Sequence, residues 1–356
     1  MKTVKKHAFL AANSCEGFVS HFGDFFKNSD GWRVYIIKGG PGTGKSSFMK
    51  KLSQNAKAKK QLVTECPCSS DPDSLDAVII ENKKTVVLDG TAPHVVEPIY
   101  PGAVENIINL GEFYDSDMLY KNRAEIKLLT DRNKIVHGIA SAYLSAAGEL
   151  LEKSVEAQKR AVDFEKTQRY AKSIIKKYFK NGKKQIKPTF RFLSGITPEG
   201  FYDFSAELYE RCKNRVIISD NIGVVSSCII GILKEEAGKR GLEATVYKNP
   251  FLPSLIYDHI EIPSLNLCVM TENRFIKLNS DIRRIHARRF LKPQSGEKNQ
   301  RSFEKRVFGE LILSAVNILK TAKSVHDELE SYYISAMDFE NLNVYAQKKI
   351  KEITGI

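Results

Sequence analysis

No apolar run in these 356 residues is long and clean enough to cross a bilayer; the most hydrophobic stretch, 216–233, carries Asp220 and Asn221 in its middle. The patch Ala8-Phe9-Leu10-Ala11-Ala12 behind Lys2, Lys5 and Lys6 has five residues, too few for the hydrophobic region of a secretory signal. Six cysteines (Cys15, Cys66, Cys68, Cys212, Cys228, Cys268) include no C-x-x-C pair, which argues against a disulfide framework and for reduced thiols. Cys66-Pro67-Cys68 has no second ligand pair nearby, so a zinc site is not expected. Acidic residues are scarce against basic ones, 42 to 55, and the resulting net charge of +13 favours anionic partners. A cytoplasmic protein without membrane association is expected, and 42 % hydrophobic content supports cores for two or three domains.

Glycine is concentrated where it carries chemistry. Gly39-Gly40-Pro41-Gly42-Thr43-Gly44-Lys45-Ser46-Ser47 fits the phosphate-binding pattern G-x-x-x-x-G-K-[ST]. The β-branched and aromatic run Arg33-Val34-Tyr35-Ile36-Ile37 predicts a buried strand before it, and Ser46 to Leu52 predicts the helix after it. Glycines allow loop amides to turn toward phosphates, and the helix start adds partial positive charge. Lys45 is then expected on the β- and γ-phosphates and the Ser46 hydroxyl on magnesium. Thr85-Val86-Val87-Leu88-Asp89 supplies the second metal-side group, a carboxylate ending a strand. ATP and Mg are the expected ligands, with Lys45 and Asp89 in the catalytic roles.

Three signatures are missing. Gly90-Thr91-Ala92-Pro93-His94 follows Asp89 where a hydrolytic Asp-Glu pair would have glutamate, and Ala92 breaks a D-x-x-G switch. Asn133-Lys134-Ile135-Val136 lacks the aspartate of a guanine-reading N-K-x-D, so ATP is favoured over GTP. The loops expected to face the γ-phosphate hold Asp71, Asp73, His94 and Glu97 as acid, base or water-orienting candidates, and Arg123 and Arg132 as lid candidates.

The chain also repeats itself. Phe9-Leu10 with Glu16-Gly17-Phe18 recurs as Phe192-Leu193 with Glu199-Gly200-Phe201, and Arg33-Val34 recurs as Arg215-Val216. Ile107-Ile108-Asn109-Leu110 is echoed in Phe275-Ile276-Lys277-Leu278, and Asp163-Phe164-Glu165 in Asp338-Phe339-Glu340. Steps of four and three link Val136, Ala140, Tyr143, Ala147, Leu150, Ser154, Ala157, Ala161 and Phe164 into a helical stripe, repeated from Leu311 to Phe339. The second copy reads Asp220-Asn221-Ile222-Gly223-Val224-Val225-Ser226-Ser227 at the loop, with valine for the lysine. One intact and one degenerate site follow.

With the glycine loop, Asp89-Gly90-Thr91-Ala92-Pro93-His94, Tyr100-Pro101-Gly102-Ala103 and the repeat together, the chain resembles a family of bacterial tandem P-loop ATPase-like proteins over nearly its full length. The resemblance implies ATP binding and leaves the substrate open. The expected fold is α/β: two P-loop NTPase-like three-layer domains with mostly parallel sheets, each with a long helical arm. Boundaries are expected at 1–115 for the intact core, 116–180 for its arm, 181–188 for a linker, 189–290 for the degenerate core and 300–356 for the second arm, with a flexible connection around 293–300. A Mg-dependent ATPase is the leading functional expectation. A kinase of a small molecule or nucleotide is one alternative. ATP-dependent nucleic-acid binding is another, through the basic stretches 176–187 and 283–289. Oligomeric state is left open.

Overall fold

The computed structural model describes residues 6–27, 31–93, 95–180, 185–292 and 298–355. The chain opens with a hairpin, β1 (Ala11–Ser14) and β2 (Gly17–Ser20), then the one-turn α1 (Asp24–Lys27) and β3 (Arg33–Lys38). After the glycine loop come α2 (Lys45–Ala58), β4 (Val63–Pro67), β5 (Leu75–Ile80), β6 (Thr85–Asp89) and β7 (Glu105–Asn109). Three helices follow: α3 (Ser116–Lys121), the 39-residue α4 (Arg123–Ala161) and α5 (Phe164–Tyr178). The second half runs β8 (Thr189–Arg191), the hairpin β9 (Ser194–Thr197) and β10 (Gly200–Asp203), α6 (Ser205–Arg211), β11 (Asn214–Ser219) and α7 (Val224–Lys239). It continues with β12 (Thr245–Lys248), β13 (Tyr257–Ile262), β14 (Leu267–Glu272) and β15 (Ile285–His286), then α8 (Lys298–Ser335) and α9 (Phe339–Thr354).

The first sheet has the order β4-β5-β6-β3-β7, and the second, β15-β11-β14-β13-β12-β8, repeats it with β8 added at the edge. Each sheet is mixed: one strand in each runs against all the others, and β8 is parallel to β12. β3 is parallel to β6 and β7, and β11 to β14 and β15, but β5 and β13 run against their neighbours on both sides. The β5–β6 connection is the single 3-10 turn Glu81–Lys83 closed by Lys84 at φ 47°, and β13–β14 uses Pro263–Leu265 closed by Asn266 at φ 49°. Neither leaves room for the crossover helix that a parallel step requires.

The central strands are buried on both faces, which explains their runs of Val and Ile. In the first sheet Tyr35, Ile37, Val78 and Val87 face α2, whereas Val34, Ile36, Ile79 and Val86 face the segment holding Leu10, Phe22 and Phe25. That second face is covered by the flanks of the β1–β2 hairpin and α1, so the expected three full layers are not present there. The two hairpins share one antiparallel sheet, β10-β9-β1-β2, through Asn13↔Ile196. The repeated Glu-Gly-Phe thus marks a turn, with Gly17 at φ 90° and Gly200 at φ 112°.

The helical arms cross over. Residues flanking α4 and α8 bridge as Tyr114↔Met337 and Val162↔Leu291, so the two helices run antiparallel. α4, about 58 Å long at 1.5 Å per residue, carries the chain from the first sheet to the second, where Ala171 and Ile174 of α5 pack in the same core as Ile229 and Leu233 of α7. Conversely Leu342, Ala346, Ile350 and Ile353 of α9 close the core over Phe48 and Leu52 of α2. Each arm covers the other half's sheet. Asp163 and Asp338 cap α5 and α9 identically, accepting from Lys166 N and Asn341 N at 3.0 Å each, which accounts for the repeated Asp-Phe-Glu.

Two sequence expectations need correction. The first stripe is buried at Ala140, Ala147 and Ala161, but Tyr143 is 38 % and Phe164 61 % exposed, and Leu144, Gly148 and Val155 outside the stripe are buried as well. A 3.5-residue step drifts around a helix of this length. The segment 275–278 is not a strand. β15 takes the place beside β11 that β7 takes beside β3, and Ile276 and Leu278 are buried from a loop.

Candidate functional site

β3 ends at Lys38, six loop residues follow, and α2 begins at Lys45. Gly42 and Gly44 stand at φ 68° and 80°, where a side chain would strain the backbone. Thr43 is buried and its hydroxyl donates to the Gly40 carbonyl at 2.9 Å, tying the loop across itself. The start of α2 has neither a capping side chain nor an acid in its first turn. β6 pairs with β3 at Ile37↔Asp89, which sets Asp89 beside the loop. Its Oδ2 lies 3.6 Å from Lys45 Nζ, and its Oδ1 accepts from Thr91 N and Oγ1 at 2.9 and 2.6 Å. Lys45 also donates to the carbonyls of Gly39 and Gly40 at 3.1 and 2.7 Å. Ser46 Oγ accepts from Leu75 N at 3.0 Å, and Ser47 is exposed on the next position of α2. A hydroxyl and a carboxylate are hard oxygen donors of the kind magnesium takes. Among the described residues no group of three or more His, Cys, Asp or Glu is placed to hold a metal.

Around this loop the structure gathers residues that no motif announces. Tyr114, beyond β7, accepts from Gly40 N through its hydroxyl, and its ring lies 5.9 Å from that of Tyr333. Glu330 of α8 accepts from Gly42 N at 3.0 Å. Asp76 of β5 is buried. Burial, and then the neighbouring Asp89, push its carboxyl up to about 7. Tyr114 and Glu330 arrive from distant elements at positions without periodicity or spacing to mark them, whereas Asp76 ends the acidic stretch 71–76 that the sequence places near the γ-phosphate.

The other sequence candidates are engaged elsewhere. Asp71 accepts from Ser74 Oγ at 2.6 Å and pairs with Lys323 of α8 at 3.3 Å. Asp73 is exposed, and His94 lies outside the described residues. Glu97 pairs with Lys38 at 2.5 Å, and Lys38 also holds the Gly90 and Val96 carbonyls at 3.0 and 2.8 Å. Arg123 sits 4.3 Å over the Tyr120 ring and donates to the Tyr120 carbonyl, while Arg132 is exposed on α4. The basic side chain that α8 brings to these loops is Lys323.

The corresponding turn in the second half is closed by its own chain. Only four residues separate β11 from α7, and Val224 stands where α2 begins with Lys45. Asp220 is 2 % exposed and its carboxylate accepts from Val225 N at 2.9 Å and Ser226 N at 3.1 Å, with Gln158 Nε2 at 3.3 Å. The amides at the start of α7 therefore already hold an anion. β14 ends in buried Thr271 and in Glu272, which Arg284 engages at 3.2 Å. Of the basic stretch 176–187, residues 181–184 lie outside the described residues. Phe179 is buried in the second core, and Tyr178 packs partly buried against that core with Lys177 Nζ 4.8 Å over its ring.

No family model, curated protein or solved structure matches the chain. No helix among the described residues is long and apolar enough to cross a membrane.

Proposed function

We propose that the chain is a Mg-dependent ATP-binding protein that hydrolyses ATP at one site, the Gly39–Ser47 loop, within a tandem pair of P-loop-like domains of which the second has closed. The observation that carries this reading is Lys45 at 3.6 Å from Asp89 at the mouth of an uncapped helix, behind a loop bent by two glycines at positive φ. Phosphate oxygens would take the loop amides and the Lys45 ammonium, and α2 would add its partial charge. Magnesium would be held by Ser46 and Asp89, with its remaining ligands from phosphate and water, and would neutralise charge on the transferred group. Lys45 and Asp89 would share the catalytic work electrostatically.

A second reading, phosphoryl transfer to a small molecule or nucleotide, draws on Asp76. A buried carboxyl held near 7 beside Asp89 is suited to accept a hydroxyl proton. The fate of γ-labelled Mg-ATP, with and without a metabolite extract, separates the two. Release solely as inorganic phosphate, lost by about a hundredfold in Lys45→Ala, is the expected result. Label in an organic product favours the kinase, and turnover unchanged by Lys45→Ala contradicts both.

A further inference from the structure

One of the loop amides that a nucleotide would need, Gly42 N, is engaged by the second arm, and another, Gly40 N, by Tyr114. Glu330 lies five residues before the end of α8, with its carboxylate accepting from Gly42 N at 3.0 Å. The fit is close along the whole contact. A Cβ at Gly42 would stand 2.8 Å from the Glu330 carbonyl and 2.9 Å from Ile334 Cγ1, and one at Gly40 would stand 2.5 Å from the Tyr333 ring. The same helix reaches the loop after β4 through Lys323 and Asp71 at 3.3 Å. Its exit is tied down by Asp115 N to the Ala336 carbonyl at 2.7 Å and Asp338 N to the Phe113 carbonyl at 3.0 Å. Carboxylate and phosphate are both anions that accept from backbone amides, so they compete for one donor. The second half shows the permanent form of this arrangement in Asp220 on the amides of α7.

We propose that Glu330 is an internal competitor of the nucleotide: its carboxylate occupies the Gly42 amide in place of a phosphate, and Mg-ATP binds by displacing it from the loop. This rests on the nucleotide reading of the Gly39–Ser47 loop. Because α8 continues into α9, which covers α2, the displaced side chain lies on the element that joins the site to the second half. Asp220 has no such freedom, being buried and on the same short turn as the amides it holds.

Titration of wild type, Glu330→Ala, Glu330→Gln, Glu328→Gln and Lys45→Ala with Mg-ATP by calorimetry tests this. Glu330→Ala is expected to bind roughly tenfold more tightly, the worth of one charge-assisted hydrogen bond no longer competing. Glu330→Gln, which loses charge but keeps shape, is expected between it and wild type, and supplies the reading if the alanine variant fails to fold. Glu328, exposed on the same helix, is expected to leave affinity unchanged when replaced. A gain in affinity is a result that a merely structural role for Glu330 would not give. Equal or weaker binding by both Glu330 variants, with binding still lost in Lys45→Ala, overturns the competition and leaves the nucleotide site standing. No binding by any variant overturns both.

Discussion

His7 shows how single residues join the two halves. Its ring nitrogens meet Glu207 at 2.7 Å and Glu65 at 3.1 Å, one carboxylate from each half. Burial opposes its charge, but these hydrogen bonds outweigh burial and lift its pKa from 6.5 to about 9. A folded-state pKa raised above the unfolded value contributes stability that is complete below 6.5 and lost as pH rises through about 9. His7→Gln is therefore expected to lower the unfolding free energy by about 2 kcal/mol at pH 6 and by much less at pH 10, measured by denaturant melts at both. Asp220→Ala is expected to cost about 2 kcal/mol, because buried amides lose their acceptor, without creating a second nucleotide site, since Val224 offers no cation. Titration of that variant showing two sites would contradict this. At this scale the loop Gly39–Ser47 is legible in sequence because it is contiguous and its glycines have one geometric purpose. Glu330 is not, because it reaches Gly42 across 288 residues and looks like any solvated helix glutamate.

Among the elements, α4 tests how the arms are held. Gly148 faces the β1–β2 hairpin, where a Cβ would stand 2.6 Å from Cys15 Cβ, while Gly138 of the same helix has nothing within 4 Å. Gly138→Ala is expected to stabilise by about 1 kcal/mol through helix propensity, and Gly148→Ala to destabilise by about 1–2 kcal/mol through overpacking. Thermal unfolding of the pair distinguishes them, and equal shifts in one direction would contradict the packing. Strands such as β3 and β6 are plain in the sequence because burial on both faces writes unbroken Val and Ile. The direction of β5 is not, since its composition is the same either way and only the length of its connections decides. The full width of the buried face of α4 escaped for a related reason: the stripe through Ala140, Ala147 and Ala161 is buried, but small residues such as Gly148 beside it carry no hydrophobic signal.

For the whole molecule the decisive feature is the exchange of arms, which the repeat alone does not disclose, because a duplicated sequence folds as two closed units or as two units trading a helix. With α9 removed, in a chain ending at residue 335, Phe48, Met49 and Leu52 of α2 lose the cover of Leu342, Ala346 and Ile350. Hydrogen exchange of that chain is expected to show lost protection in β3 and α2 with protection retained in β11 and α7. Native-like protection of α2 would show that the first half closes without the second arm. The central claim, one working nucleotide site in a duplicated chain, is tested most directly by the stoichiometry of Mg-ATP binding to the intact protein. One nucleotide per chain, abolished by Lys45→Ala, is the expected result; two per chain, or one that survives Lys45→Ala, would contradict it.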